Sequence, residues 1–114
     1  MDAPAGKVLE LVVFSLREGV SRDQFLGTVD GVSAWAREQP GFISRELCHA
    51  GEGDRWIEVI WWRTMSDARA AAQAALTSES CAPMFALIDT EETLMVHGEP
   101  AIAPVYPGPS PAGS

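Results

Sequence analysis

The sequence predicts a single α+β domain in which a four-stranded antiparallel sheet carries its helices on one face. Three observations lead there. Runs of β-branched and aromatic residues alternate with helix-periodic stretches in the order strand, helix, strand, strand, helix, strand. Two of the strands are apolar on both faces. The chain has 114 residues, which suits one compact domain with a modest core rather than two. Hydrophobic residues make up 46% and charged residues 21%, as in ordinary globular proteins, and four Trp and four Phe supply bulky core groups.

Val8 to Leu16 is nearly apolar throughout, so it reads as a central strand covered on both faces. Glu18-Gly19-Val20 turns the chain, and Ser21 followed three residues later by Gln24 has the form of a capping box. One helix is expected from there, with Phe25, Val29, Val32 and Ala36 at helical spacing and Leu26 and Trp35 widening the stripe. Pro40-Gly41 ends it. A second strand runs from about Phe42 to His49, and the loop Gly51-Glu52-Gly53-Asp54 returns the chain into a third strand, Trp56 to Arg63. On that strand Trp56, Glu58, Ile60 and Trp62 share one face, and Ile57, Val59 and Trp61 the other.

Thr64-Met65-Ser66-Asp67 offers an N-cap for an Ala-rich helix over Ala68 to Leu76, where the alanines permit close approach to a sheet. A second cap at Ser80 is expected to open a short helix carrying Met84, Phe85, Leu87 and Ile88, with Pro83 tolerated in its first turn. A last strand, about Thr93 to Glu99, completes a domain over residues 1–99. From residue 100 to 114 the composition turns to Pro and Gly. Pro104, Pro107, Pro109 and Pro111 predict an extended tail, read as a loose terminus or as an arm that docks Val105 and Tyr106 onto a partner subunit.

Eight Lys and Arg against sixteen Asp and Glu give a net charge of −8. That balance repels phosphate backbones and anionic lipids, and basic and aromatic residues do not interleave as a nucleic-acid platform requires. Neither nucleic acid nor membrane is expected as a partner. Met1-Asp2-Ala3-Pro4-Ala5-Gly6 has no basic region followed by an apolar run, and no stretch approaches the ~20 apolar residues of a membrane span, so a cytoplasmic protein is expected. Cys48 and Cys81 read as lone buried thiols rather than a disulfide. Two histidines with distant cysteines do not make a metal set, and there is no phosphate loop, Ser elbow or carboxylate pair at a defined helix spacing.

Strand-helix-strand-strand-helix-strand is the split βαβ order, in which right-handed crossovers place both helices on one face. The other face stays uncovered. Because the first and third strands are apolar on both sides, a homodimer with sheets packed face to face is expected. Trp61 then falls in the dimer interface and Trp62 under the helices.

Arg17-Glu18-Gly19, Gln39-Pro40-Gly41-Phe42 and Trp62-Arg63-Thr64-Met65-Ser66-Asp67-Ala68 occupy the three junctions between strands and helices. On these residues the chain resembles, over about residues 7–99, the dimeric α+β barrel superfamily of ferredoxin-like fold, and within it the antibiotic-biosynthesis monooxygenases and stress-responsive barrel proteins. The resemblance implies a ligand site between helices and sheet, lined by Trp62. Glu58 and Ile60 share the face of Trp62, and Trp35 and Phe85 join Ile60 and Trp62 as substrate-binding candidates.

Glu58 and His97 are the catalytic candidates. A carboxylate beneath a Trp on an apolar face has its ionised form disfavoured, which suits a general base; the structural alternative is an ion pair with Arg45 across the hairpin or contact with solvent. His97 lies between Val96 and Gly98, where the backbone is open to a ligand. His49 closes the second strand and reads as solvent-exposed, or as a cap on a cavity mouth. Haem-degrading members of the superfamily place a His where this chain reads Cys81-Ala82-Pro83-Met84-Phe85, and their first-strand Asn falls near Leu11. Haem chemistry is therefore disfavoured, leaving only Met84 or Cys81 as axial candidates. The resemblance points instead to the cofactor-independent monooxygenases that form quinones from aromatic polyketides, or to a related cyclase or isomerase, acting on a small aromatic substrate without cofactor or metal. The alternative is a non-enzymatic dimeric barrel that binds a ligand or a protein.

Overall fold

The computed structural model describes residues 7–108; the start Met1 to Gly6 and the tail prolines Pro109 and Pro111 lie outside the described residues. The chain forms β1 (Val8–Leu16), α1 (Arg22–Leu26), α2 (Val29–Arg37), β2 (Phe42–Ala50), a 3-10 turn (Glu52–Asp54), β3 (Arg55–Trp62), α3 (Met65–Ala75), α4 (Ala82–Phe85) and β4 (Ile88–Gly98). The strands form one antiparallel sheet in the order β2-β3-β1-β4. This is the expected split βαβ arrangement, and no helix among the described residues is long and apolar enough to cross a membrane.

The caps act much as their residue types dictate. Ser21 Oγ accepts the Gln24 backbone N–H at 3.0 Å and Thr64 Oγ1 that of Asp67 at 3.0 Å, each satisfying an orphan donor of a first turn. The single helix expected after Ser21 is instead two. Gly27 has low helix propensity, and the Thr28 hydroxyl donates to the Phe25 carbonyl at 2.7 Å, diverting an acceptor the helix needs. Phe25, Val32 and Ala36 stay buried, but Leu26 turns outward at 39% exposure. Ser80 does not cap α4: the N-cap is Cys81, without a side-chain cap bond, and Ser78 Oγ accepts the N–H groups of Ser80 and Cys81 in the turn before it. Leu87 and Ile88 leave that helix, and Ile88 opens β4 five residues earlier than expected. The early start is accommodated by a bulge. Ser15 pairs with Asp89 and Val13 with Leu94, so Thr90 to Thr93 form an excess on β4, tied by Thr93 Oγ1 donating to the Asp89 carbonyl at 2.8 Å.

Two buried clusters lie between sheet and helices. One gathers Phe14, Phe25, Trp56, Val32 and Met84; the other gathers Val8, Ile60, Trp62, Ala68 and Ala71. Phe25 packs edge-on to Phe14 with centroids 5.7 Å apart and at 4.8 Å from Trp56, aromatic geometry that adds to plain area burial. Ala68 and Ala71 let α3 lie close on the sheet. On the other face Leu9, Leu11, Val13, Ile57, Val59 and Trp61 are half-buried, while Leu94 and Val96 are exposed, and no helix among the described residues covers them. Both cysteines are free, and Cys81 is buried as expected. Cys48 is exposed because it pairs with Ile57 on the uncovered face. Val105 and Tyr106 are exposed in the tail.

Candidate active site

Between the helices and the sheet lies an open cavity of ≈ 730 Å³, within the size range of small-molecule sites. β1 and β3 supply its floor. Their alternation sends Val8, Glu10, Val12 and Phe14, and Trp56, Glu58, Ile60 and Trp62, toward the helices. α2 contributes Trp35, the α4 region Cys81, Met84 and Phe85, and β4 contributes Met95 and His97. All six candidates from the sequence, Glu58, His97, Trp62, Ile60, Phe85 and Trp35, line this one cavity. His49 does not; it pairs with Asp54 at 2.8 Å and stacks on Trp56 at 4.6 Å.

Glu58 takes the ion-pair alternative. Its Oε2 accepts from Arg45 Nε at 2.6 Å, with the two side chains only 9% and 4% exposed. Arg45 is fixed in turn by donating to Ser33 Oγ at 2.7 Å, to the Val29 carbonyl at 3.4 Å and to Met84 Sδ at 3.7 Å. A carboxylate whose charge is matched this closely is poorly placed to serve as a free base.

The residue that sequence reasoning passed over is Glu10. It is the sole charged side chain in β1 and is 5% exposed. Its Oε1 accepts from Trp62 Nε1 at 3.2 Å and lies 3.2 Å from His97 Nε2. Burial pushes the Glu10 carboxyl above its ordinary range; the nearby charge of Glu58 acts the same way, and the bonds from His97 and Trp62 oppose the shift. Burial also pushes the Cys81 thiol up, which disfavours the thiolate. The signal for Glu10 was present in the sequence: one acid on the same face as Val8, Val12 and Phe14, inside an apolar strand. Among the described residues no cluster of three His, Cys, Asp or Glu side chains could hold a metal ion.

The arrangement can therefore hold a flat apolar molecule against Ile60, Trp62 and Trp35 and move a proton at one end of it. No family model matches the chain, and no curated protein does. Solved structures do. The cofactor-independent oxygenase SnoaB from Streptomyces nogalater is 18% identical, with a TM-score of 0.64 over 90% of this chain and 99% of that one. A predicted antibiotic biosynthesis monooxygenase from Bordetella bronchiseptica is 17% identical, with a TM-score of 0.72 over 85% and 99%. A dimeric protein of unknown function and ferredoxin-like fold from Bacteroides fragilis is 16% identical, with a TM-score of 0.60 over 85% and 99%. At these identities the likeness is one of architecture, and the chain has the ferredoxin-like fold that these proteins share.

Proposed function

We propose that this chain is a cofactor-independent oxygenase that converts an activated methylene of a small aromatic, polyketide-like substrate into a carbonyl, working as a homodimer. The observation that carries the proposal is the Glu10–His97 pair, fixed by the Trp62 indole on the wall of a largely apolar cavity. The open cavity with His97 on its wall favours an enzyme over a non-enzymatic barrel. The fold shared with a cofactor-independent oxygenase supports the reaction class.

The chemistry asks little of the protein beyond placement and proton transfer. The pair removes a proton from the methylene, the apolar walls keep water from competing, and the resulting carbanion reduces O2. A C–O bond forms and gives a peroxide anion, which recovers a proton from the pair. Loss of water, with the second methylene hydrogen, then leaves the carbonyl. The balance is CH2 + O2 → C=O + H2O, with O2 as the only oxidant. Hydrogen-bonded placement of this kind contributes roughly 10²–10⁴-fold to a rate-limiting proton transfer.

Isotope labelling tests this reading. With anthrone as probe and protein freed of flavin and metal, ¹⁸O2 should place one labelled atom in the anthraquinone carbonyl and the other in water. Absence of catalysed O2 consumption with anthrone and with hydroxylated anthrones would overturn it.

A further inference from the structure

One side chain from each strand forms a row across the helix-covered face of the sheet in the order Arg45 (β2), Glu58 (β3), Glu10 (β1), His97 (β4), and the last three line the cavity. The register makes them successive neighbours. His97 sits opposite Glu10; Glu58 sits opposite Val12, diagonal to Glu10; Arg45 sits opposite Ile60, diagonal to Glu58. Diagonal partners on one face stand about 7–8 Å apart, within reach of long side chains.

The two halves of this row differ. Arg45 and Glu58 form a direct ion pair at 2.6 Å, and Ser33, the Val29 carbonyl and Met84 hold the guanidinium on its other sides. The Glu58 carboxylate is thereby held in place against the guanidinium. Glu10 has no arginine or lysine partner: its neighbours are the neutral Trp62 indole, the His97 ring at 3.2 Å and, one strand away, Glu58. Of the other charged or titratable groups on the cavity wall, Arg69 of α3 is exposed and Cys81 is buried before α4, and neither bonds to Glu10.

We propose that Arg45 and Glu58 are positioning residues which hold the proton of the Glu10–His97 pair on Glu10, leaving the His97 imidazole to accept a proton and Glu10 to donate one. The strand order supplies the reason. Glu58 lies one strand from Glu10 but two from His97, so its repulsion of an ionised Glu10 exceeds its attraction for an imidazolium. Burial of Glu10 works in the same direction and, with Glu58, outweighs the opposing bonds from His97 and Trp62. The division of roles rests on the oxygenase reading; the location of the proton does not.

The test is therefore made without substrate. In full-length protein labelled with ¹³C-glutamate, the Glu10 carboxyl is titrated by NMR, and the Trp62 indole N–H should follow it with the same midpoint. Glu58→Gln is expected to move that midpoint to lower pH, whereas Glu58→Asp, which keeps the charge while altering the packing, should not. An unchanged or raised midpoint in Glu58→Gln overturns the proposal. If Glu58→Gln fails to fold because it strands Arg45, the double variant Arg45→Met/Glu58→Gln takes its place, with a smaller downward shift expected because loss of the more distant Arg45 cation acts the other way, and an unchanged or raised midpoint again overturning it. Oxygen uptake on anthrone is scored separately, so failure of the oxygenase reading leaves this result standing.

Discussion

The sheet face beneath the helices carries Arg45, Glu58, Glu10 and His97 among Val12, Ile60 and Trp62, whereas the central strands of the opposite face present Leu9, Leu11, Val13, Ile57, Val59 and Trp61. In an isolated soluble domain one expects neither charges within the core face nor a broad apolar patch on the other. Each departure has its own reason. Inside, every buried side-chain nitrogen and oxygen among the described residues has a hydrogen-bond partner, so the charges are retained without orphaned groups. Outside, the apolar surface is what the proposed face-to-face homodimer would cover.

The largest test of this contrast is on the inner face. Glu58→Leu alone leaves Arg45 buried and unpaired and should cost about 3–5 kcal/mol in chemical denaturation, while Arg45→Met/Glu58→Leu should be near neutral. A large loss in both would mean that the pair itself stabilises the fold. On the outer face, Val59→Asp appears twice in a face-to-face dimer and should weaken it at least roughly a hundredfold by sedimentation. A wild-type protein that sediments as a monomer at micromolar concentration would break the comparison outright.

A smaller effect comes from Glu10. Its carboxyl is raised in the folded protein, so the folded state holds the proton more tightly than the unfolded chain does. Its contribution is therefore greatest at low pH and is lost as pH rises from the ordinary carboxylate range through the raised one. The slope for one proton cannot exceed about 1.4 kcal/mol per pH unit, and Glu10→Gln should flatten it. The smallest effect concerns the tail. Ile102, Val105 and Tyr106 are 71–82% exposed, so ending the chain at Pro100 should change stability by less than about 0.5 kcal/mol. A larger loss that depends on protein concentration would show that the arm docks on a partner.

Legibility followed the physics of each region. Element order, the two faces of β3 and the caps at Ser21 and Thr64 were readable, because alternation and first-turn chemistry are local. The break at Gly27-Thr28 was not, since the apolar stripe from Phe25 to Ala36 runs across it without losing its phase. The β4 bulge at Thr90 to Thr93 is set by pairing with β1, which periodicity does not register. In the site, Glu58 and His97 were visible as polar residues on strand faces, and the Arg45 alternative followed from the hairpin. Glu10 was hidden by the apolar run around it, and its importance comes from β4 bringing His97 opposite it across 87 positions of sequence.

Joint action of Glu10 and His97 on the substrate proton is read out by steady-state oxygen uptake on anthrone across pH. Glu10→Gln and His97→Ala should each lower kcat/KM roughly 10²–10⁴-fold, and the double variant should lose little more, because the two residues act as one unit. Variants that retain wild-type kcat/KM, or whose losses multiply, would contradict the account.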